Sequence, residues 1–235
     1  MGGEREIVAF IFARGGSKGL PRKNVLNFCG KPLIAWSIEH AKSSTRIDRL
    51  IVSTDCNEIA EVAKHYGAEV PFIRPIELAQ DASPEWLAWR HALKFVKEER
   101  GNYPGIMVSI PTTSPLRSVD DIESCIDLFI QKKPDAVITV TDARRNPYFN
   151  MVRLDNSGRS VLVCSPVDKI STRQQSPQIY DMTTVAYVIK PEFVMENDSL
   201  FDGEVYHVNI PCERGLDIDN KFDFDFAEWQ MKQKQ

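Results

Sequence analysis

The stretch "ARGGSKGLPRKN", from Ala13 to Asn24, gathers the residues best suited to chemistry. Gly15, Gly16 and Gly19 let backbone N–H groups approach a ligand closely. Arg14, Lys18, Arg22 and Lys23 add positive charge, and Asn24 adds a hydrogen-bonding amide. Together they suit a polyphosphate. The spacing is neither G-x-x-x-x-G-K-[ST] nor G-x-G-x-x-G, so P-loop kinase and dinucleotide-dehydrogenase readings lose their main support.

A second constellation lies near the other end, in "RGLDIDN". On an extended segment Asp217 and Asp219 project to one face. Two carboxylates there are good ligands for Mg2+, a hard cation that prefers oxygen and commonly bridges to phosphate. Lys221 stands where a phosphatase D-x-D-x-[TV] motif needs Thr or Val. A glycosyltransferase use of the pair leaves the basic loop unexplained. Loop and acidic pair together point to phosphate plus metal, hence to nucleotidyl or phosphoryl transfer.

Elements that would position these groups follow from the pattern. "IVAFIF" is a continuous apolar run, as expected of a strand buried on both faces. "KPLIAWSIEHAKSS" reads as a helix with Pro32 at its first position. "RLIVST" is a strand. "DCNEIAEVAKHYG" is a helix capped by Asp55, with Glu58 three residues on and Gly67 at its end. "EVPFI" reads as a short strand, and "SPEWLAWRHALKFVKEER" as a helix with Ser83 as N-cap. "GIMVSI" and "DAVITV" are strands around a helix whose start carries capping-box chemistry at Ser118 and Asp121. Such alternation implies right-handed crossovers and a mostly parallel sheet covered by helices. Ligands bind at the carboxyl ends of such strands, where "FARGGSKG", "STD" and "SIPTTSPLR" all fall.

From about Asp142 the pattern changes. Two strands flank an "NSG" turn, and residues 144–182 read as an arm inserted into an otherwise single domain spanning 1–235. The chain returns through "VYHVNIP" and "GLDIDN" to a final helix, "KFDFDFAEWQMKQ". Phe222, Phe224 and Phe226 are expected to anchor that helix. Trp36, Trp86, Trp89 and Trp229 are expected in core or interface packing.

The bulk composition narrows the classes. With 235 residues the chain can bury one sizeable core. Its net charge of -4 argues against binding nucleic acid by phosphate neutralisation. No apolar stretch is long enough for a membrane span, and the acidic start does not read as a signal peptide. Cys29, Cys56, Cys125, Cys164 and Cys212 are scattered, as expected of reduced thiols in a cytoplasmic protein without a disulfide framework. His40, His65, His91 and His207 are equally dispersed, which leaves a zinc site or a His-based triad little support.

Five collinear stretches, "ARGGSKGLPRKN", "GKPLIAWSIEHAKSS", "IVSTDCNEIAEVAKHYGAEVPFIRPIELAQDAS", "PTTSPLRSVDDI" and "LDIDNKFDFDFAEW", resemble the acylneuraminate cytidylyltransferases, which make CMP-sialic acid and related CMP-nonulosonates. The resemblance runs over nearly the whole chain. It implies a three-layer, Rossmann-like α/β nucleotidyltransferase domain with a protruding dimerisation arm, a homodimer, and a divalent cation, Mg2+ or another. It implies CTP as nucleotide and a nine-carbon keto-acid sugar whose anomeric hydroxyl attacks the α-phosphorus and expels pyrophosphate.

Carried over by position, Arg14 and Lys23 contact the triphosphate, with Gly15, Gly16, Ser17, Lys18 and Gly19 around it. Asn24, Asp81 and Ser83 seat the nucleotide, and Asp217 and Asp219 hold the cation. Arg173 and Thr113 serve the sugar, Arg173 through its carboxylate. Arg14, Lys23 and Asp217 are the catalytic set. Either Asp217 acts as base or a metal-held sugar hydroxyl loses its proton directly. Three positions depart from the family pattern: Pro111 replaces a Gln, Thr172 replaces an Arg, and "TTVAY" (Thr183 to Tyr187) replaces an "NGAIY"-like stretch. All three are expected near the sugar. Legionaminate, pseudaminate and octulosonate therefore stand beside sialic acid as acceptors, and another NTP remains an alternative nucleotide. A non-enzymatic nucleotide-binding protein has no evident need of both the basic loop and the acidic pair.

Overall fold

The computed structural model describes residues 6–165 and 172–233, except the side chain of Arg173. Among the described residues ten strands are formed: β1 Ile7–Phe12, β2 Asn27–Phe28, β3 Lys31–Pro32, β4 Arg49–Ser53, β5 Ile106–Ser109, β6 Ala136–Asp142, β7 Val152–Leu154, β8 Ser160–Leu162, β9 Tyr180–Ile189 and β10 Val205–Asn209. The α-helices are α1 Leu33–Ser43, α2 Asn57–His65, α3 Glu85–Arg100, α4 Val119–Lys132, α5 Pro191–Glu196 and α6 Lys221–Lys232.

The central sheet has the order β10-β6-β9-β5-β1-β4. β1 runs parallel to β4 and β5, and β10 parallel to β6. β9 is antiparallel to both β5 and β6, so the sheet is mostly parallel with one reversed strand inside it. The register of β9 on β6 jumps between Ile138, opposite Tyr187, and Thr139, opposite Thr183. This bulge leaves Thr184, Val185 and Ala186 unmatched and changes which side chains face which way.

Both faces of the sheet are covered. Ala9, Ile11, Val52 and Val108 pack with Ile34 and Ile38 of α1, Ile59 of α2 and Ile122 and Ile126 of α4. On the other face Val8, Phe10, Ile51 and Met107 meet Trp86, Trp89 and Leu93 of α3 and Phe193 of α5. A third cluster joins Leu20, Phe28 and Leu33 to Leu116, Ile218 and Phe224, and so ties the N-terminal loop to α6. Burying such side chains contributes roughly 1.5–3 kcal/mol each.

Several expectations are corrected. "EVPFI" makes only one bridge, Glu69 beside Ile51, because Pro71 has no N–H to continue the ladder. Pro32 lies just before α1 rather than in its first turn. α2 begins at Asn57 with no side-chain cap, since Asp55 bonds elsewhere. Ser83 does not cap α3; its Oγ donates to the Glu77 carbonyl at 2.6 Å. Of the C-terminal aromatics only Phe224 is buried, whereas Phe222 is 78% and Trp229 57% exposed. The capping box of Ser118 and Asp121 forms as expected. So do the terminating glycines Gly67 and Gly101, in the left-handed region at φ 87° and 83°.

β7 and β8 pair as an antiparallel hairpin across the "NSG" turn. The main sheet already includes Tyr180, opposite Asp142. No helix among the described residues is long and apolar enough to cross a membrane.

Candidate functional site

The loop after β1 is held from both sides. Ala13 N–H donates to the Ser53 carbonyl at 3.0 Å. Gly15 N–H donates to Asp55 Oδ1 at 2.9 Å. Asn24 is 6% exposed; its amide donates to the Arg14 carbonyl at 2.9 Å and accepts from the Thr112 hydroxyl at 2.6 Å. Asn24 therefore closes the loop into a ring.

The acidic segment docks on this loop. Lys23 Nζ donates to the Ile218 carbonyl at 2.5 Å and lies 3.7 Å from Asp219 Oδ1. Gly19 abuts the Asp219 carbonyl so closely that a Cβ there would lie 2.2 Å from the oxygen. Ile218 N–H bonds the Thr113 carbonyl at 2.8 Å. Two segments about two hundred residues apart in sequence thus form one wall.

Asp217 is half-buried, and among the described residues its Oδ1 has no hydrogen-bond partner. Burial pushes its carboxyl up from the ordinary range and the charge of Asp219 adds to this, while Thr113, Thr184 and Lys23 pull the other way. Asp219 is exposed. No cluster of three or more potential metal ligands occurs among the described residues. The orphaned oxygen of Asp217 and the exposed carboxylate of Asp219 nevertheless fit a hard cation that takes its remaining ligands from phosphate and water.

A cleft of about 350 Å³ opens beside these groups. Arg14, Ser17, Lys23, Asn24, Asp81, Ser83 and Thr113 line it. Asp81 is bridged by Arg14 at 2.9 Å and Lys18 at 2.7 Å, and Lys18 leads Arg14 in holding its carboxyl below the usual range. Gly16 is exposed, and a Cβ added there would meet nothing within 4 Å, so there is room beside it for a ligand. Of the departures from the family pattern, Pro111 lines the cleft. Thr183 is buried and bonds Thr139 at 2.8 Å, and Thr172 is exposed. Thr184, which the bulge turns toward Thr113 and Ser114, takes the cleft position instead. The expected sugar contact of Arg173 lies outside the described side chains.

Four contributors escaped the reading of the sequence. Asp55 holds Gly15, although "STD" at a strand's carboxyl end marked the region. Arg74, 4% exposed, lines the cleft with its Nε unpartnered. Glu85 lines it from the first turn of α3. Arg117 is buried, donating to Ser37 Oγ at 2.7 Å and to the carbonyls of Pro111 and Thr184. Burial pulls its guanidinium down to about 9, with Asp121 and Asp217 opposing. It staples the "PTTSPLR" loop to α1 and β9.

Comparison with known proteins agrees with this architecture. Residues 8–194 match the family model described as cytidylyltransferase. The chain is 35% identical over 229 residues to post-translational flagellin modification protein B of Campylobacter coli, covering 97% of this chain and 96% of that one. It is 36% identical to CMP-N,N'-diacetyllegionaminic acid synthase of Campylobacter jejuni, with the same coverage. A solved structure of CMP:2-keto-3-deoxy-manno-octonic acid synthetase complexed with CTP superimposes with a TM-score of 0.72 at 14% identity, over 98% of this chain and 100% of that one. The latter likeness concerns the fold. The chain is a nucleotidyltransferase, and it belongs to the cytidylyltransferase family.

Proposed function

We propose that this chain transfers CMP from CTP to the anomeric hydroxyl of a nonulosonate, releasing pyrophosphate, with a legionaminate-type sugar as the foremost acceptor. The observation that carries the reading is the contact between the basic loop and the acidic segment, made by Lys23, which lines the cleft, on the Ile218 carbonyl and by Gly19 on Asp219. The choice of acceptor class leans on the legionaminic acid synthase, which matches end to end.

In this reading the triphosphate lies along the backbone of Gly15 to Gly19, with Arg14, Lys18 and Lys23 neutralising its charge. Asn24 and Asp81 hold the loop around the nucleotide, and Ser83 braces the opposite wall through Glu77. Asp217 and Asp219 would hold a divalent cation, Mg2+ for preference, whose charge would offset that building on the phosphates. The acceptor oxygen bonds to the α-phosphorus as the bond to the β-phosphate oxygen breaks. The departing proton goes either to Asp217, through an oxygen the cation leaves free, or directly to water from the hydroxyl. Thr113 and Thr184 flank this carboxylate, and Arg173 is assigned to the sugar carboxylate, a planar anion suited to a guanidinium.

Residues 144–182 serve as the dimerisation arm. Met151, Val152, Leu154 and Val163 expose apolar surface there, ahead of Tyr180 where the chain rejoins the main sheet, and a partner subunit would cover it. A cytoplasmic setting accords with five unpaired cysteines.

The test is pyrophosphate release from four NTPs against a panel of N,N'-diacetyllegionaminate, pseudaminate, N-acetylneuraminate and an octulosonate. CTP with a nonulosonate is expected to give turnover. No turnover with CTP on any of these sugars would refute the proposal.

A further inference from the structure

Glu85 lines the cleft but takes no part in joining the basic loop to the acidic segment. It opens α3 and faces the cleft, where only one other carboxylate, Asp81, stands among the described lining residues. Asp81 is taken by Arg14 and Lys18. Among the described residues Glu85 makes no ion pair within 4 Å; burial pushes its carboxyl up, while the Trp89 indole and the charge of Arg74 pull it down. Arg74 lies 3.8 Å from Asp55 and keeps its Nε free. One turn along α3, Ala88 also lines the cleft and brings little bulk; the rings of Phe12 and Tyr187 complete that wall. A flat ring can lie there, with the Glu85 carboxylate and the Arg74 guanidinium both lining the same cleft as it.

Cytosine presents a complementary edge. Its exocyclic amine donates, and its neighbouring ring nitrogen and carbonyl accept. Uracil offers an oxygen in place of the amine and a ring N–H in place of the acceptor, which sets oxygen against the Glu85 carboxylate. A ribose hydroxyl or a sugar amide could also meet a carboxylate, but neither needs the adjoining guanidinium. We propose that Glu85 is a specificity-determining residue that accepts the exocyclic amine of cytosine and so selects CTP over UTP. This rests on the assignment of CTP as the nucleotide.

The experiment measures CTP and UTP binding by calorimetry, and turnover of both with the acceptor, for the wild type, Glu85→Ala and Glu85→Gln. Wild type is expected to prefer CTP. Glu85→Ala should weaken CTP by roughly 5- to 150-fold and leave UTP almost unchanged. In Glu85→Gln the amide can present either its donor or its acceptor, so the CTP:UTP ratio should move toward one. The isosteric Gln variant guards against misfolding, which thermal melting of both variants also monitors. If the variants keep the wild-type ratio, or if the loss falls on the KM of the acid sugar, the proposal is overturned and the CTP reading stands. If wild type itself binds CTP no better than UTP, both fall together.

Discussion

Gly19→Ala tests how tightly the two halves of the site are joined. Gly19 does not lie in the left-handed region, so alanine brings no torsional penalty; its effect is steric. The new Cβ would lie 2.2 Å from the Asp219 carbonyl oxygen, a backbone atom with no rotamer to escape into. An ordinary C···O contact needs about 3.3 Å, so the loop and the acidic segment must part by about 1 Å. That motion stretches the bond of Lys23 to the Ile218 carbonyl, which sets Lys23 against Asp219. A misplacement of about 1 Å costs on the order of a hundredfold in rate. Overpacking of this kind costs about 1–3 kcal/mol in stability, and about 2–4 °C in Tm accompanies each kcal/mol in a domain of this size. The assay is pyrophosphate release beside thermal melting, with Gly16→Ala as control. A Cβ added at Gly16 would meet nothing within 4 Å, so that variant should melt as wild type does. Activity of Gly19→Ala within roughly threefold of wild type, with an unchanged Tm, would refute the coupling.

Two further substitutions separate stability from function. A carboxyl whose proton affinity is raised by folding destabilises the fold once ionised. The penalty is absent below the ordinary carboxylate range, grows as pH rises through it to the raised value, and persists above. Asp217→Asn should therefore raise Tm at neutral pH, by about 2–4 °C if the relief is on the order of 1 kcal/mol, with no gain in acid. It should also abolish turnover and the Tm increase that Mg2+ gives the wild type; a lower Tm at neutral pH would count against the burial argument. Asp55→Ala frees the Gly15 N–H and should raise KM for CTP by roughly tenfold, in keeping with a charged hydrogen bond of about 1.5 kcal/mol, while KM for the acid sugar stays fixed; an unchanged KM for CTP would remove Asp55 from the site.

Much of the sheet was legible because its buried strands are continuous apolar runs. Ser118 and Asp121 were legible because a capping box is closed within four residues. What escaped depends on distance in sequence. Asp55 fits a local capping pattern, but the Gly15 N–H, forty residues away, takes its carboxylate. Ser83 is likewise drawn to Glu77. The reversed direction of β9 leaves no mark on "VAYVIK", since a strand reads alike either way. The bulge in β9 decides that Thr184 and not Thr183 faces the cleft, and in a strand a one-residue slip exchanges the two faces. The loop and the acidic pair were each visible as residue types. Their meeting through Ile218 and Gly19 was not, because a backbone carbonyl and a missing side chain carry no sequence signal.

The most direct test is to incubate the chain with CTP, Mg2+ and N,N'-diacetyllegionaminate and to follow pyrophosphate together with the CMP-sugar. The account predicts equal yields of both, lost in Lys23→Ala and Asp217→Asn variants that remain folded. Near-full activity in either variant, or pyrophosphate without a CMP-sugar, would contradict it.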